Sequence, residues 1–65
     1  MTIILNGQNS ETTANTLAQM LAELDLADAI IATAVNGQFV QAARRAAIQL
    51  SPGDAIEIVA PMQGG

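Results

Sequence analysis

The sequence lacks the residues on which most side-chain catalysis depends. Among its 65 residues there is no cysteine, no histidine and no lysine, and the single aromatic residue is a phenylalanine. Without cysteine there is neither a disulfide framework nor a thiolate, and without histidine the commonest general base and metal ligand are missing. The length allows one small domain and excludes a multi-domain enzyme. Classical side-chain catalysis is therefore not expected.

Basic residues are also scarce. Two arginines stand against six acidic residues, and the net charge is −4. An acidic chain repels nucleic acid and anionic lipid, so we expect no nucleic-acid or membrane partner and favour a basic groove on a protein. No apolar run approaches about 18 residues, and no cationic leader opens the chain. These absences predict a cytoplasmic protein. Arg44 and Arg45 lie in a polar crossover, where we expect them to be solvated, and they are assigned no role.

Apolar periodicity predicts one helix, over residues 17 to about 25. Its apolar stripe has the spacing of one helical face and consists of Leu17, Met20, Leu21 and Leu24. Thr16 and Gln19 have the spacing of a capping box at its start. A helix with such a stripe needs a sheet face to cover it.

Short segments with strand composition surround this helix. The dipeptides Asn6-Gly7 and Asn36-Gly37 suit type I′ hairpin turns, because both residues accept positive φ. The strands are predicted at 3–5, 8–14 (a polar edge strand), 29–35, 38–40 and 56–59. Segment 41–49 is expected to form a short helix or an irregular crossover, and 51–54 a turn. The prediction is an α+β fold over residues 1–60, followed by a flexible tail, 61–65.

The terminal Gly64-Gly65 pair is the one feature that requires a chemical explanation. Residues without a Cβ can thread a narrow tunnel and leave the terminal carboxylate open to attack. At about 3.3–3.6 Å per residue, the tail could reach roughly 15–18 Å beyond the domain. Because there is no cysteine, that carboxylate is the obvious remaining covalent site. An inert, frayed terminus is the alternative.

Several segments together carry a family resemblance. They are 3–7, 16–24, the run Ala34-Val35-Asn36-Gly37, 53–59 and the terminal Gln63-Gly64-Gly65. On these segments the chain resembles, over its whole length, the ThiS family of sulfur carriers in thiamine biosynthesis. The resemblance implies a ubiquitin-like β-grasp fold, with one main helix on one face of a mixed sheet of four to five strands. The sequence departs from the family pattern at Gln41-Ala42-Ala43, where many members have a Pro-Arg pair.

The resemblance also implies a reaction cycle in which this chain is a protein co-substrate and not an enzyme. The C-terminal glycine is adenylated by a ubiquitin-activating-type adenylyltransferase that uses ATP and magnesium. Sulfur from a cysteine desulfurase-type source then gives a thiocarboxylate, which thiazole synthase consumes. Carried over, Gly65 is the attachment site, and Gly64 and Gln63 give access to it. No cofactor is expected to be bound by the chain itself.

A partner-docking surface is predicted near the last strand. Ile56 and Ile58 share one face of that strand, so Val59 lies on the opposite face, where an apolar patch would mark a docking surface. Glu57 could pair there with a partner's cation, and Met62 and Phe39 are further candidates, with a core position as the alternative for Phe39.

Three other functions stay open. The chain could be a sulfur carrier of the molybdopterin synthase small-subunit type, a ubiquitin-like modifier, or a binding module with an inert tail.

Overall fold

Residues 1–60 are described by the structure, which is a computed structural model. Along this part of the chain the order is β1 (Thr2–Leu5), β2 (Gln8–Glu11), α1 (Leu17–Glu23), β3 (Ala32–Val35), β4 (Gln38–Val40), a 3₁₀ helix (Ala42–Ala47) and β5 (Ala55–Val59). The predicted tail, 61–65, lies outside the described residues. Neither helix within residues 1–60 has the length and apolar character needed to cross a membrane.

The strands form one mixed sheet in the order β2-β1-β5-β3-β4. The central pair, β1 and β5, is parallel, and the other neighbours are antiparallel. With α1 on one face, this is the predicted α+β, β-grasp arrangement. The polar strand β2 lies at a sheet edge as predicted, but it ends at Glu11 and not at residue 14. Just beyond it the Thr12 Oγ1 accepts from the Ala14 amide at 3.0 Å, a local turn that ends the strand.

Both Asn-Gly turns form where the sequence predicts them. Asn6 and Gly7 have φ of 49° and 82°, and Asn36 and Gly37 have φ of 51° and 82°. Positive φ at two successive positions matches the right-handed twist of the paired strands. These turns fix the β1–β2 and β3–β4 hairpins.

Helix α1 begins and ends through local hydrogen bonds. The Thr16 Oγ1 accepts from the Gln19 amide at 3.2 Å, as predicted for the cap. The Gln19 side chain, however, accepts from the Asn15 amide at 2.8 Å and not from the Thr16 amide, so the capping box is displaced by one residue. At the other end Asp25 takes φ 64°, and the Leu26 amide donates to the Leu21 carbonyl at 2.7 Å, which is a Schellman ending.

The core lies between α1 and the sheet. Leu17 and Met20 are buried against Ile3 and Ile56 of the central strands. The prediction that Leu24 belongs to this core stripe is wrong, since its side chain is 40% exposed. Leu24 is the C-cap of the helix, and the next residue, Asp25, leaves helical geometry with φ 64°.

Strand β3 is shorter than the apolar run that contains it. The run 29–35 predicts a buried strand, but β3 begins only at Ala32, and Ile30 is 84% exposed. Ala32 pairs with Val59, the last residue of β5, so within residues 1–60 no strand remains to pair with Ile30.

The crossover after β4 is a 3₁₀ helix, one of the two forms predicted for it. Arg44 is exposed, as expected. Arg45 contradicts the expectation of a solvated side chain, because it is only 9% exposed. Its burial follows from hydrogen bonds to β3 and to the residue before it, which are described below.

Candidate functional site

The sheet face opposite α1 has no covering element within residues 1–60. Ala34 pairs with Phe39 on one side and with Glu57 on the other, and Ala32 pairs with Val59. Paired residues in adjacent strands point to the same face, and alternate residues of one strand do so as well. The predicted docking residues Phe39, Glu57 and Val59 are therefore brought together.

This surface is apolar and exposed. We call it the open face and define it by Ile4, Ala32, Ala34, Phe39, Glu57 and Val59. Phe39 is 69% and Val59 61% exposed, which excludes the core position considered for Phe39. Ile4 belongs to the same face because it pairs with Ala55, which precedes Glu57 by two positions on β5. Exposed apolar residues collected in one place are typical of interaction sites.

Sequence reasoning missed two apolar residues of this region. Ile4 could have been found from the alternation with buried Ile3. Ile30 could not, because the continuous apolar run around it hides the place where β3 begins. Its side chain, with Ile31, Ala32 and Val59, lines a shallow depression of about 290 Å³ at the margin of the open face.

A second depression lies on the open face itself. It has a volume of about 150 Å³ and is lined by Ala32, Thr33, Ala34, Phe39, Glu57 and Val59. The two depressions share Ala32 and Val59, so the apolar surface continues from Phe39 to Ile30. Concave apolar spots of this kind receive the anchoring side chains of a protein partner.

Glu57 is the charged member of the open face. Its side chain makes no hydrogen bond or ion pair with any residue in the range 1–60, and it is exposed. A carboxylate among exposed apolar residues can meet a partner's cation without first breaking an internal contact.

Strand β5 is held from both sides by asparagine side chains. β1 ends at Leu5, and the next residue, Asn6, continues its ladder with a side-chain amide. Its Oδ1 accepts from the Ile58 amide at 2.9 Å and its Nδ2 donates to the Ile58 carbonyl at 3.2 Å. Asn36 holds the start of β5, where its Oδ1 accepts from the Ala55 amide at 3.0 Å. The two turn residues thus fix the strand that presents Glu57 and Val59.

Asp54 is a turn residue, as expected. One carboxylate oxygen accepts from the Ser51 amide at 2.8 Å, and the other accepts from the Asn36 Nδ2 at 3.0 Å. These bonds close the 51–54 turn and leave Asp54 less available to a partner than Glu57.

Arg45 is a third residue that sequence reasoning missed. Its Nε donates to the Thr33 Oγ1 at 3.1 Å, and its Nη2 donates to the Ile31 carbonyl at 2.8 Å. The Thr33 hydroxyl in turn donates to the Val40 carbonyl at 2.8 Å. One buried guanidinium therefore ties the 3₁₀ helix to the beginning of β3, and Thr33 relays the contact to β4.

The predicted attachment and access residues, Gly65, Gly64 and Gln63, lie outside the described residues, as does Met62. Along the chain they follow β5, whose last residue is Val59. Up to Ala60 the chain contains no group of three or more acidic side chains placed to hold a metal ion.

Comparison with known proteins gives a consistent result. A family model described as the ThiS family matches residues 3–65. The crystal structure of the thiamine biosynthesis protein ThiS from Geobacter metallireducens superposes with a TM-score of 0.82 at 28% identity, over 100% of both chains. The NMR solution structure of a thiamine biosynthesis protein from the same organism superposes with a TM-score of 0.80 at 26% identity, over 100% of this chain and 88% of that one. A search of curated protein sequences finds no match.

Proposed function

The chain belongs to the ThiS family, and we propose that it carries sulfur as a thiocarboxylate on Gly65. Membership of this family makes it a small sulfur carrier of thiamine biosynthesis that is not itself catalytic. The observation that carries the proposal is the extent of the match, which continues through the terminal glycines to residue 65. The absence of cysteine supports it, because the chain has no thiol that could hold the sulfur instead.

The chemistry explains why an activating partner is required. A carboxylate is a poor electrophile, since it is anionic and has no good leaving group. In the proposed first step the Gly65 carboxylate oxygen attacks the α-phosphate of ATP, and pyrophosphate leaves. The adenylyltransferase supplies the nucleotide, the magnesium and the charge stabilisation. Persulfide sulfur from a cysteine desulfurase-type source is reduced to the sulfide level by a thiol, which becomes a disulfide; this sulfide then attacks the carbonyl carbon, and AMP leaves.

The thiocarboxylate is the form that donates sulfur. Its sulfur is a softer and stronger nucleophile than a carboxylate oxygen, so it can attack an electrophilic carbon held by thiazole synthase. An oxygen nucleophile, from water or from the acceptor molecule itself, then adds to the Gly65 carbonyl carbon as its bond to sulfur breaks. The sulfur stays on the acceptor, and the carboxylate is regenerated for another cycle. The predicted cytoplasmic location is part of this proposal, because each partner in the cycle is expected there.

Docking to the activating enzyme is proposed to use the open face. Phe39 and Val59 would provide apolar anchors, and Glu57 would pair with a cation of the partner. Val59 immediately precedes the residues that lead to Gly65, so a partner bound there would lie close to the start of the tail. Met62 is part of the proposed contact on the basis of its sequence alone. The net charge of −4 would speed encounter with a basic surface, and salt should slow it.

The attachment site is tested by mass spectrometry. The chain is incubated with ATP, magnesium, the adenylyltransferase and a sulfide donor, and then treated with an alkylating reagent. We expect a species heavier by one oxygen-to-sulfur exchange that becomes alkylated, although the chain has no cysteine; methionine thioethers react far less readily. Deletion of Gly65 should abolish this species while circular dichroism stays unchanged. If the deletion variant is still alkylated, the attachment site is wrong.

The same reaction, followed by addition of thiazole synthase, separates the carrier from the other functions. A ubiquitin-like modifier would give amide-linked lysine conjugates and no alkylatable species, and a binding module with an inert tail would give neither. A carrier of the molybdopterin type would form the thiocarboxylate but would not transfer its sulfur to thiazole synthase.

The docking surface is tested with a matched pair of variants. Val59→Ser and Leu24→Ser each remove an exposed apolar side chain, one from the open face and one from the end of α1 on the opposite side of the sheet. Val59→Ser should raise the KM of the adenylyltransferase for the carrier by about tenfold, the effect of one interface anchor. Leu24→Ser should leave it unchanged. Equal KM values for the two variants would show that docking occurs elsewhere.

A further inference from the structure

We infer that Arg45 is a positioning residue for partner docking, because its guanidinium holds the Ile30-Ile31 segment in place at the margin of the open face. This inference rests on the proposed function, in which the open face binds the adenylyltransferase. Arg45 itself makes no part of that surface. It would act through the backbone of Ile31, and so through the exposed side chain of Ile30.

The guanidinium bridges the beginning of β3. Its two acceptors, the Ile31 carbonyl at 2.8 Å and the Thr33 hydroxyl at 3.1 Å, lie on either side of Ala32, the first residue of the strand. The Thr33 hydroxyl also donates to the Val40 carbonyl, so the anchor is tied to β4 as well. Arg45 thus holds the chain at the point where it enters the sheet.

The segment before β3 needs such an anchor because the sheet does not hold it. The pairing between β3 and β5 begins at Ala32 and Val59, and Ile31 lies outside it. Between α1 and β3, the last backbone hydrogen bond joins the Ala29 amide to the Leu26 carbonyl at 3.1 Å, and it lies before Ile30 and Ile31. The bond from Arg45 to the Ile31 carbonyl takes the place of the missing strand pairing. Without it, Ile30 would lose its fixed position beside Val59.

The geometry of the arginine matters here more than its charge. No carboxylate within residues 1–60 forms an ion pair with Arg45, and both of its acceptors are neutral oxygens. Burying a cation without a carboxylate partner is costly, so a purely structural role would be filled better by an apolar side chain. A planar guanidinium can reach two acceptors at once from a fixed position, and a lysine ammonium on a flexible stem does this poorly.

The experiment measures the kinetics of adenylation with the intact carrier and the adenylyltransferase. The reaction is monitored by the release of pyrophosphate. Arg45→Met should raise KM by about tenfold, because Ile30 must then be ordered during binding, and kcat should stay the same. Arg44→Met removes the same charge from the exposed neighbouring residue and should change KM by less than about twofold. Carrier concentrations are corrected for the folded fraction measured by circular dichroism.

A double-mutant cycle separates positioning from a general loss of stability. Ile30→Ser removes the side chain through which Arg45 acts, so adding Arg45→Met to it should raise KM little further. An effect that does not pass through Ile30 would instead raise KM by the same factor with and without Ile30→Ser. Backbone amide exchange should become faster in Arg45→Met at Ala32, the first residue of β3, and stay unchanged in β1, far from the anchor.

Three results would overturn the inference. The first is an unchanged KM for Arg45→Met, and the second is an equal rise in KM from Arg45→Met with and without Ile30→Ser. The third is a KM for Arg45→Lys equal to that of the natural chain, since lysine keeps the charge without the planar guanidinium. If Arg45→Met does not fold, Arg45→Lys takes its place in the cycle. If Val59→Ser also leaves KM unchanged, the docking surface itself is wrong, and the proposed function and this inference fail together. A raised KM for Val59→Ser with an unchanged KM for Arg45→Lys or Arg45→Met rejects the inference alone.

Discussion

The side chain of Asn6 should stabilise the fold beyond its role in the turn. Its two hydrogen bonds to Ile58, at 2.9 and 3.2 Å, join residues that are 52 positions apart. Asn6→Gly removes both bonds without backbone strain, because glycine accepts the φ of 49° found here. Each exposed bond contributes about 0.5–1.5 kcal/mol, so we expect the free energy of unfolding to fall by about 2 kcal/mol. For a domain of this size, that lowers Tm by roughly 8–16 °C.

Two further variants test the cause of this loss. Asn6→Ala removes the same bonds and forces an alanine into the left-handed region, which should cost roughly 1 kcal/mol more than the glycine variant. Asn6→Asp keeps an acceptor for the Ile58 amide but places a carboxylate oxygen where Nδ2 now donates to the Ile58 carbonyl. It should therefore be less stable than the natural chain at neutral pH.

The assay is urea unfolding followed by circular dichroism, with amide exchange at Ile58 as a local readout. Asn9→Ala provides the control, since Asn9 is exposed on the edge strand and its side chain makes no hydrogen bond within the described residues. The control should change stability by less than about 0.5 kcal/mol. An Asn6→Gly variant as stable as the control, with unchanged exchange at Ile58, would refute the reasoning.

Two more predictions concern the helix. Leu17→Ala should lower the free energy of unfolding, measured in urea, by about 3 kcal/mol, because it opens a cavity in the core. Leu24→Ala should lower it by much less, because Leu24 is exposed. Equal losses for the two variants would contradict the core described here. Hydrogen bonds from the Thr12 and then the Thr13 side chain lower the pKa of Glu23. The hydrogen bonds to ionised Glu23 therefore stabilise the folded state at pH values above the pKa that Glu23 has in the unfolded chain. This stabilisation is lost as the pH falls through the lower pKa that Glu23 has in the folded chain. Glu23→Gln should be less stable than the natural chain near neutral pH, and the difference should narrow in acid; a constant difference between neutral and acid pH would contradict this assignment.

Sequence alone determined the features that depend on neighbouring residues. The Asn-Gly turns follow from which residues accept positive φ, and the start of α1 follows from the Thr16 hydroxyl and the apolar spacing behind it. Alternation along β5 placed Ile56 toward the core and Glu57 and Val59 on the other face, since side-chain direction in a strand has a period of two. The chemistry of the terminal Gly64-Gly65 was also suggested by sequence and stays a prediction.

Tertiary structure decided the features whose partners are distant along the chain. Ile30 is exposed because β5 ends opposite Ala32, and nothing near residue 30 in the sequence records where another strand stops. Arg45 is buried because its acceptors lie 12 and 14 residues earlier, at the beginning of β3. The sequence predicted the turn at Asn6. The hydrogen bonds from its side chain to Ile58 form only because β5 pairs beside β1. A side chain's contacts across a sheet depend on strand order and register, which local patterns do not specify.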